Sequence, residues 1–110
     1  MNNYKHLILS EMKHNYTNLE MLVIGIEEIA MNHGFDYLTE DYMENMQVGI
    51  LGCNVPTLFD VQMLCENIGI DSADIEHGWY GITVWISDSW YEGKANEIYK
   101  PEHEMWRKNQ

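Results

Sequence analysis

The side chains of this chain that could do chemistry are its histidines and its acids, and their spacing matches no catalytic motif. The five histidines are His6, His14, His33, His77 and His103. No two of them have the HxxxH or HExxH spacing of a zinc enzyme, and no nucleophile–base pattern connects them. An enzyme would need a pocket that gathers His33, His77 or Asp74. The sequence therefore favours a protein without catalytic activity.

The densest acidic cluster comprises Asp71, Asp74 and Glu76, followed by His77. A calcium loop needs alternating oxygen ligands, a central glycine and a distal bidentate glutamate, and this segment lacks that framework. We interpret it as a cap at Asp71 with a short solvated turn through Glu76. We expect no metal and no cofactor.

The two cysteines, Cys53 and Cys65, form neither a CxxC pair nor a disulfide framework. Free thiols indicate a reducing compartment. The N-terminus lacks the pattern of a signal peptide, and the longest apolar run, residues 21–26, is too short to span a bilayer. These features predict a cytoplasmic protein, in the host cytoplasm if the gene is viral, that has no contact with membrane.

The charge distribution is the strongest signal in the sequence. The chain has 110 residues and a formal net charge of −12 from 6 basic and 18 acidic residues. Between His14 and Gly93 there is no Lys or Arg, whereas that span holds 14 of the acids. Solubility explains an excess of acid but does not require the loss of every base across eighty positions. A halophilic or generally acidic proteome is an alternative that accounts for both.

Composition and element patterns predict one α+β domain over residues 1–110, with about three N-terminal helices, a small antiparallel sheet and a short C-terminal helix. In the first third, apolar residues repeat every three or four positions from Ile8 to His33. This pattern fits one long helix, or a second helix that starts near Asn18 behind a Thr17–Glu20 capping box. Gly34 is a suitable C-terminal stop. Because apolar residues surround this helix, it is predicted to be central or part of an oligomer interface.

Two more helices are predicted from caps and apolar stripes. Thr39 is a suitable N-cap for a helix that ends at Gly52, with Met43, Met46 and Ile50 facing inward. The next helix begins after Pro56, with Thr57 and Asp60 as its cap pair, and ends in a Schellman motif at Gly69. Its predicted inner stripe is Val61, Leu64, Cys65 and Ile68.

From Trp79 to Ser87 the period changes to two, which predicts a strand. A turn at residues 87–89 would return the chain through Trp90 and Tyr91, a further extended piece would reach Tyr99, and Pro101 would open the last helix. The aromatic residues of this region are predicted mainly to pack in the core against the sheet. They could stack on bases, but nucleic-acid binding also needs a basic groove, which is absent.

Residues 55–70 faintly resemble the last helices of phage-repressor-type helix-turn-helix domains. The resemblance covers about sixteen residues and lacks a basic recognition helix. Phosphate contacts supply most of the affinity for DNA, so the acidic charge argues against DNA binding.

Phosphate mimicry is the leading hypothesis for the acidic surface. Duplex DNA carries one charge per ~1.7 Å of its axis, and carboxylates three or four residues apart on a helix lie ~5–6 Å apart. The predicted acidic rows are Glu27/Glu28, Glu40/Asp41/Glu44 and Asp71/Asp74/Glu76, and the predicted apolar anchors are Phe59, Met63 and Tyr91.

In size and charge the chain resembles the small acidic inhibitors of phages and mobile elements, including anti-CRISPR and anti-restriction proteins. The resemblance implies a non-enzymatic protein that occupies a basic, nucleic-acid-binding surface of a partner protein and inhibits it. The alternative is a structural or regulatory module that forms a homo-oligomer, such as a homodimer, through its first helix and aromatic sheet.

Overall fold

The computed structural model describes residues 16–39 and 47–100. In chain order the elements are α1 (Asn18–Asn32), β1 (Asp36–Thr39), β2 (Gln47–Leu51), α2 (Val55–Asn67), a 3-10 turn (Ser72–Asp74), β3 (Ile75–Gly78), β4 (Gly81–Trp85) and α3 (Asp88–Gly93). The α+β class is confirmed. Helices and strands alternate along the chain, however, whereas the sequence predicted that all the main helices precede the sheet.

Helix α1 begins and ends where its local sequence signals place it. Thr17 is the N-cap and forms a capping box with Glu20, in which the Thr17 backbone N–H donates to Glu20 Oε1 at 2.8 Å. Gly34 has φ 78°, and the Phe35 N–H donates to the Ala30 carbonyl at 2.8 Å in a Schellman ending. The alternative of a helix starting near Asn18 is therefore confirmed, while the predicted turns around Ile8 and Met12 lie outside the described residues.

The buried face of α1 differs from the predicted one. Its fully buried apolar residues are Met21, Leu22, Ile26, Ile29 and Ala30. Of these, Ile26 and Ala30 belong to the predicted face. Leu19 and Val23, which the spacing placed on the inner face, are half-buried at the edge of the core. The helix contacts β1, β2 and α2, so it packs against the sheet and against another helix. This double packing explains why most of its circumference is apolar.

The helix predicted from Thr39 to Gly52 is wrong. Thr39 ends β1, and β2 runs from Gln47 to Leu51, the two strands pairing antiparallel with Tyr37 opposite Ile50. Val48 and Ile50 are both buried, and the two-residue step between them is the period of a strand. For residues 47–51, pairing with neighbouring strands overrides the helical spacing. The other predicted inner residues, Met43 and Met46, lie outside the described residues.

Helix α2 is confirmed with a correction at its start. Asn54 is the N-cap, and its Oδ1 accepts from the Thr57 backbone N–H at 2.9 Å, so the cap lies three residues before the predicted one. The predicted inner stripe of Val61, Leu64, Cys65 and Ile68 is buried. Gly69 has φ 79°, and the Ile70 N–H donates to the Cys65 carbonyl at 2.9 Å, which completes the Schellman ending.

The predicted cap at Asp71 is confirmed, because its Oδ1 accepts from the Ala73 N–H at 2.9 Å. The predicted strand is shorter than expected and belongs to a hairpin, with β3 and β4 joined by a two-residue turn at Trp79 and Tyr80. The predicted return strand is wrong. Ser87 caps α3 by accepting from the Trp90 N–H at 3.3 Å. The C-terminal helix predicted from Pro101 lies outside the described residues.

The sheet has the order β1-β2-β4-β3, and every neighbouring pair is antiparallel. Val48 pairs with Val84 and Ile50 with Ile82 at its centre. These four side chains are buried in one cluster with those of α1 and α2. The helices therefore cover one face of the sheet.

Residues 94–99, near the end of the described chain, form hydrogen bonds with the start of α1. The Tyr99 N–H donates to the Tyr16 carbonyl at 2.7 Å, and Asn18 Nδ2 donates to the Lys94 carbonyl at 3.0 Å. Trp90 of α3 is buried, and its indole N–H donates to the Ile68 carbonyl at 3.0 Å. The C-terminal segment is thus bound to both α1 and α2.

Candidate partner-binding surface

The face of the sheet turned away from the helices carries exposed apolar side chains. Since side chains alternate along a strand, the neighbours of Val48, Ile50, Ile82 and Val84 lie on the opposite side. We call this surface the outer sheet face, and its members are Leu38, Gly49, Leu51, Thr83 and Trp85. The exposed fractions are 42% for Leu38, 55% for Leu51 and 38% for Trp85. Clustered exposed apolar side chains of this kind are typical of binding surfaces.

The turn between β3 and β4 extends this apolar surface. A Cβ atom built on Gly78 would lie 2.8 Å from Cε1 of Tyr80, so the tyrosine ring rests on Gly78. Trp79 is 96% exposed. Its ring packs edge-to-face against Tyr80, with the ring centroids 6.0 Å apart. An exposed tryptophan supported by a second ring is the type of side chain that anchors interfaces.

The charges on the four strands are of one sign. Asp36 lies on β1 and Glu76 on β3, at the two edges of the sheet, and none of the four strands contains Lys or Arg. Neither carboxylate forms an ion pair with another described side chain. The outer sheet face thus combines an apolar centre with acidic edges, the arrangement of a core and a polar rim in protein interfaces.

A second surface surrounds the C-terminal end of α2 and has mixed charge. An open groove of about 750 Å³ lies between this end and residues 94–100. Glu66 and Glu97 line it together with Lys94 and Lys100. The aliphatic part of Lys94 lies over Gly69, where an added Cβ would come within 2.9 Å of its Cδ. Two lysines offset the two acids here, so the sheet edges are the more one-signed surface.

The predicted row Glu27/Glu28 does not form on the surface. Glu28 is fully buried, at 0% exposed. One turn earlier on α1, Leu64 of α2 packs closely on Gly25. Glu27 is half-buried and faces Tyr37 of β1, whose pKa its negative charge raises. Neither carboxylate contributes to a surface row.

The third predicted row lies where the outer sheet face meets the 3-10 turn. Asp71 and Glu76 are exposed, and Asp74 is half-buried. Glu76 pairs with Thr83 across the sheet, which places it at the edge of the outer sheet face. The second row, Glu40, Asp41 and Glu44, lies outside the described residues.

The predicted apolar anchors lie away from the outer sheet face, on the helices. Phe59 of α2 is 40% exposed. Met63 is half-buried and lines a groove with Gln62 and Ile75. Tyr91 of α3 packs against the core and is half-buried. Of the three, Phe59 is the most accessible to a partner.

The histidines adopt separate positions in the fold. His33 Nε2 lies 2.8 Å from Oδ2 of Asp60, in a pair that joins the end of α1 to α2. His77 is exposed on β3. Within residues 16–39 and 47–100, no group of three or more His, Cys, Asp or Glu side chains has an arrangement that holds a metal ion.

The residues of the outer sheet face were only partly accessible from the sequence. The sequence pattern does not identify Leu51 because it predicts a helix from Thr39 to Gly52, and it does not identify Leu38 because that residue directly precedes the predicted helix. Trp79, Tyr80 and Trp85 were noted but assigned mainly to the core. The step of two between Val48 and Ile50 was the signal that could have identified β2 and its exposed neighbour Leu51.

Among the described residues, no helix has both the length and the apolar character that a membrane crossing requires. Comparison of the chain with known protein families, with curated proteins and with solved structures finds no match. The functional conclusion therefore depends on the surface chemistry described above.

Proposed function

We propose that this chain is a non-enzymatic, acidic binding protein that occupies a basic, nucleic-acid-binding surface of a partner protein and inhibits it. The observation that carries the proposal is the set of exposed carboxylates on a sheet and turn that are themselves free of bases, with Lys94 alone among the described bases lining a groove with Asp71 and Asp74. Asp36, Asp71 and Glu76 are exposed on a sheet and turn that contain no Lys or Arg. A surface of this kind attracts a basic cleft over a long range and repels nucleic acid itself.

The proposal accommodates the burial of Glu28. Because Glu28 is buried, the Glu27/Glu28 row cannot mimic the phosphates of DNA from the surface of a helix. The Asp71–Glu76 region keeps exposed carboxylates. The charge is then presented from the 3-10 turn and the sheet edge, and Glu40, Asp41 and Glu44 stay predicted contacts from the sequence. Recognition of the partner then depends on the negative electrostatic potential of this surface more than on carboxylates spaced like the phosphates of DNA.

A pull-down of binding partners, followed by a competition assay between this protein and nucleic acid, tests the proposal. The immobilised protein is incubated with a lysate of its source cells at about 50 mM salt, where surface charges are weakly screened. Proteins eluted at high salt are identified, purified and assayed for nucleic-acid binding in the presence of this protein. We expect mutually exclusive binding. A captured protein that binds nucleic acid and this protein at the same time would contradict the proposal.

Charge reversal provides the matched variants. Replacement of Glu40, Asp41 and Glu44 by Lys should slow association with the captured partner by about tenfold or more and flatten its salt dependence, because steering acts on the association rate. The corresponding Gln/Asn/Gln variant, which removes charge without reversing it, should lose less. Unchanged association at low salt would exclude these three acids from the interface.

A homo-oligomeric module is the second candidate, and a specific observation favours it. Tyr16, Leu19, Val23 and Ile24 line a shallow apolar depression of about 350 Å³ on α1. Together with the outer sheet face it provides two apolar surfaces through which copies of the chain could associate. Light scattering coupled to size-exclusion chromatography discriminates the candidates, since a stable oligomer of the isolated chain would favour this second one.

A further inference from the structure

The strand register defines a row of residues that crosses the outer sheet face at right angles to the strands, and we call this row and its borders the trough. The register aligns one residue from each strand along its floor: Leu38, Gly49, Thr83 and Glu76. Gly49 contributes no side chain to this floor and Thr83 a short one. Leu51 stands on one side of the row and Trp85 on the other, and both are exposed.

The trough is as wide as an α-helix. Leu51 and Gln47, which pairs with Trp85, lie four residues apart on β2, a distance of about 13 Å at about 3.3 Å per residue. A helix with its side chains is about 10–12 Å in diameter. A helix laid across the strands would therefore contact Leu38, Leu51 and Trp85 at once.

The acids at the two edges of the outer sheet face define the charge of its occupant. Glu76 ends the floor of the trough on β3, whereas Asp36 pairs with Leu51 and lies beside that wall on β1, two residues from Leu38. The edge strands are three inter-strand steps of about 4.8 Å apart, and the two-residue offset along the strand brings the separation of Asp36 and Glu76 to about 16 Å. Along a helix this distance corresponds to about ten or eleven residues. Lys or Arg side chains at that separation, on either side of an apolar stripe, would meet both carboxylates.

A second copy of this chain has the wrong charge for this position. Every strand of the sheet lacks Lys and Arg, and the whole chain carries a net charge of −12. Two outer sheet faces in contact would bring carboxylates together without cations to offset them, and such like-charge contacts are unfavourable.

We propose that the outer sheet face binds an amphipathic, basic α-helix of a foreign protein, with apolar side chains in the trough and Lys or Arg at its two ends. The proposal rests on the proposed function, because it names the structural element of the basic partner that this protein recognises. The bound helix would form a second helical layer on the sheet, opposite α1 and α2.

Titration of the full-length, isotopically labelled protein with three synthetic helical peptides tests the proposal. Each is about 15 residues long, the shortest length at which a peptide helix is stable. The first has a Leu stripe and Arg residues about ten positions apart, the second replaces Arg by Glu, and the third replaces Leu by Gln. We expect only the first to bind and to shift the amide resonances of Leu38, Gly49, Leu51 and Thr83.

A matched pair of variants separates the trough from other exposed apolar positions. Leu51→Gln should weaken binding of the first peptide by about tenfold, as for a central interface residue. Val55→Gln removes an even more exposed apolar side chain at the start of α2 and should leave binding unchanged. Glu76→Lys should also weaken binding, and higher salt should reduce the difference between Glu76→Lys and the parent protein.

Four outcomes would overturn the proposal. If the peptide with Gln in place of Leu bound as tightly as the first peptide, charge alone would account for binding. Binding of the peptide with Glu in place of Arg would show that Asp36 and Glu76 do not select a basic helix. Dimerisation that Leu51→Gln abolishes, or contacts from residues 1–15 to Leu51 in the free protein, would assign the face to another occupant. These results leave the competition assay of the proposed function unaffected, so the two proposals fail separately.

Discussion

At the scale of single residues, Cys65 has a strongly perturbed environment. It is fully buried in α2. Burial, and secondarily the negative charge of Asp74, raises the pKa of its thiol well above the ordinary value. Cys53 is half-buried, and both cysteines are free thiols, as the sequence predicted.

The raised pKa of Cys65 predicts a loss of stability in alkali. Above the ordinary thiol pKa of about 8.5 the unfolded chain releases a proton that the folded chain retains, so the free energy of unfolding falls as pH rises, by up to about 1.4 kcal/mol per pH unit. Chemical denaturation from about pH 8 to about pH 10.5 should show a smaller fall for Cys65→Ala. Parallel curves for the two proteins would refute this. Iodoacetamide should also modify Cys53 faster than Cys65.

Two glycines provide a second prediction at this scale. Gly81 has φ 133°, and a Cβ at this position would collide with the carbonyl oxygen of Ile50. We expect Gly81→Ala to lower the free energy of unfolding by more than about 2 kcal/mol. Gly93 has no atom within 4 Å of an added Cβ, so Gly93→Ala should range from neutral to about 1 kcal/mol more stable. Urea denaturation measures both, and a similar loss in the two variants would contradict this account.

At the scale of elements, the sequence predicted helix ends better than it predicted strands. Capping boxes and Schellman endings depend on residues within a few positions of one another, and so Thr17, Gly34 and Gly69 could be assigned from sequence. Strand β1 depends on β2, and β2 depends on β4, a partner far along the chain. The pairing of β2 with β4 places Ile50 opposite Ile82. The residues near Thr39 contain no local pattern from which this pairing could be predicted.

The same difference explains what could be predicted of the candidate surface. The absence of Lys and Arg between His14 and Gly93 is a property of the sequence itself, so the acidic character can be predicted without a structure. The outer sheet face arises from the order and register of four strands, which bring Leu38 next to Gly49 and Gly49 next to Thr83. Those contacts could be inferred only after the strands were placed.

The N-cap of α2 gives the prediction at the element scale. Asn54 Oδ1 accepts hydrogen bonds from the Thr57 backbone N–H at 2.9 Å and from the Thr57 hydroxyl at 2.7 Å. Asn54→Ala should reduce the free energy of unfolding by about 1 kcal/mol, because the Thr57 N–H loses its partner, and Asn54→Asp should retain most of the stability. Thermal denaturation followed by circular dichroism compares the three proteins. Equal melting temperatures would mean that the cap contributes nothing.

At the scale of the whole molecule, the net charge of −12 affects stability as well as binding. A compact chain with so few bases brings like charges together, and this repulsion opposes folding. The described residues contain Lys94 and Lys100 as their only lysines or arginines, so the repulsion has few compensating attractions.

Salt should therefore stabilise the folded protein. Between about 20 mM and about 500 mM NaCl, screening shortens the range of repulsion from tens of ångströms to a few, and we expect the melting temperature to rise by several degrees. The rise should be steepest at low salt, and an uncharged osmolyte at equal osmolality serves as the control. A melting temperature that falls with NaCl would show that attractive pairs dominate.

The strand order β1-β2-β4-β3 also has a consequence for how the chain reaches its native state. The β3–β4 hairpin closes a turn of two residues, and β1 and β2 are separated by seven, whereas 29 residues separate β2 from β4. Loop-closure entropy grows with the length of the loop, and contacts between distant residues slow folding. Union of the two hairpins at the Ile50–Ile82 pair is therefore the kinetically demanding event, and it buries the hydrophobic core in the same step as it assembles the outer sheet face.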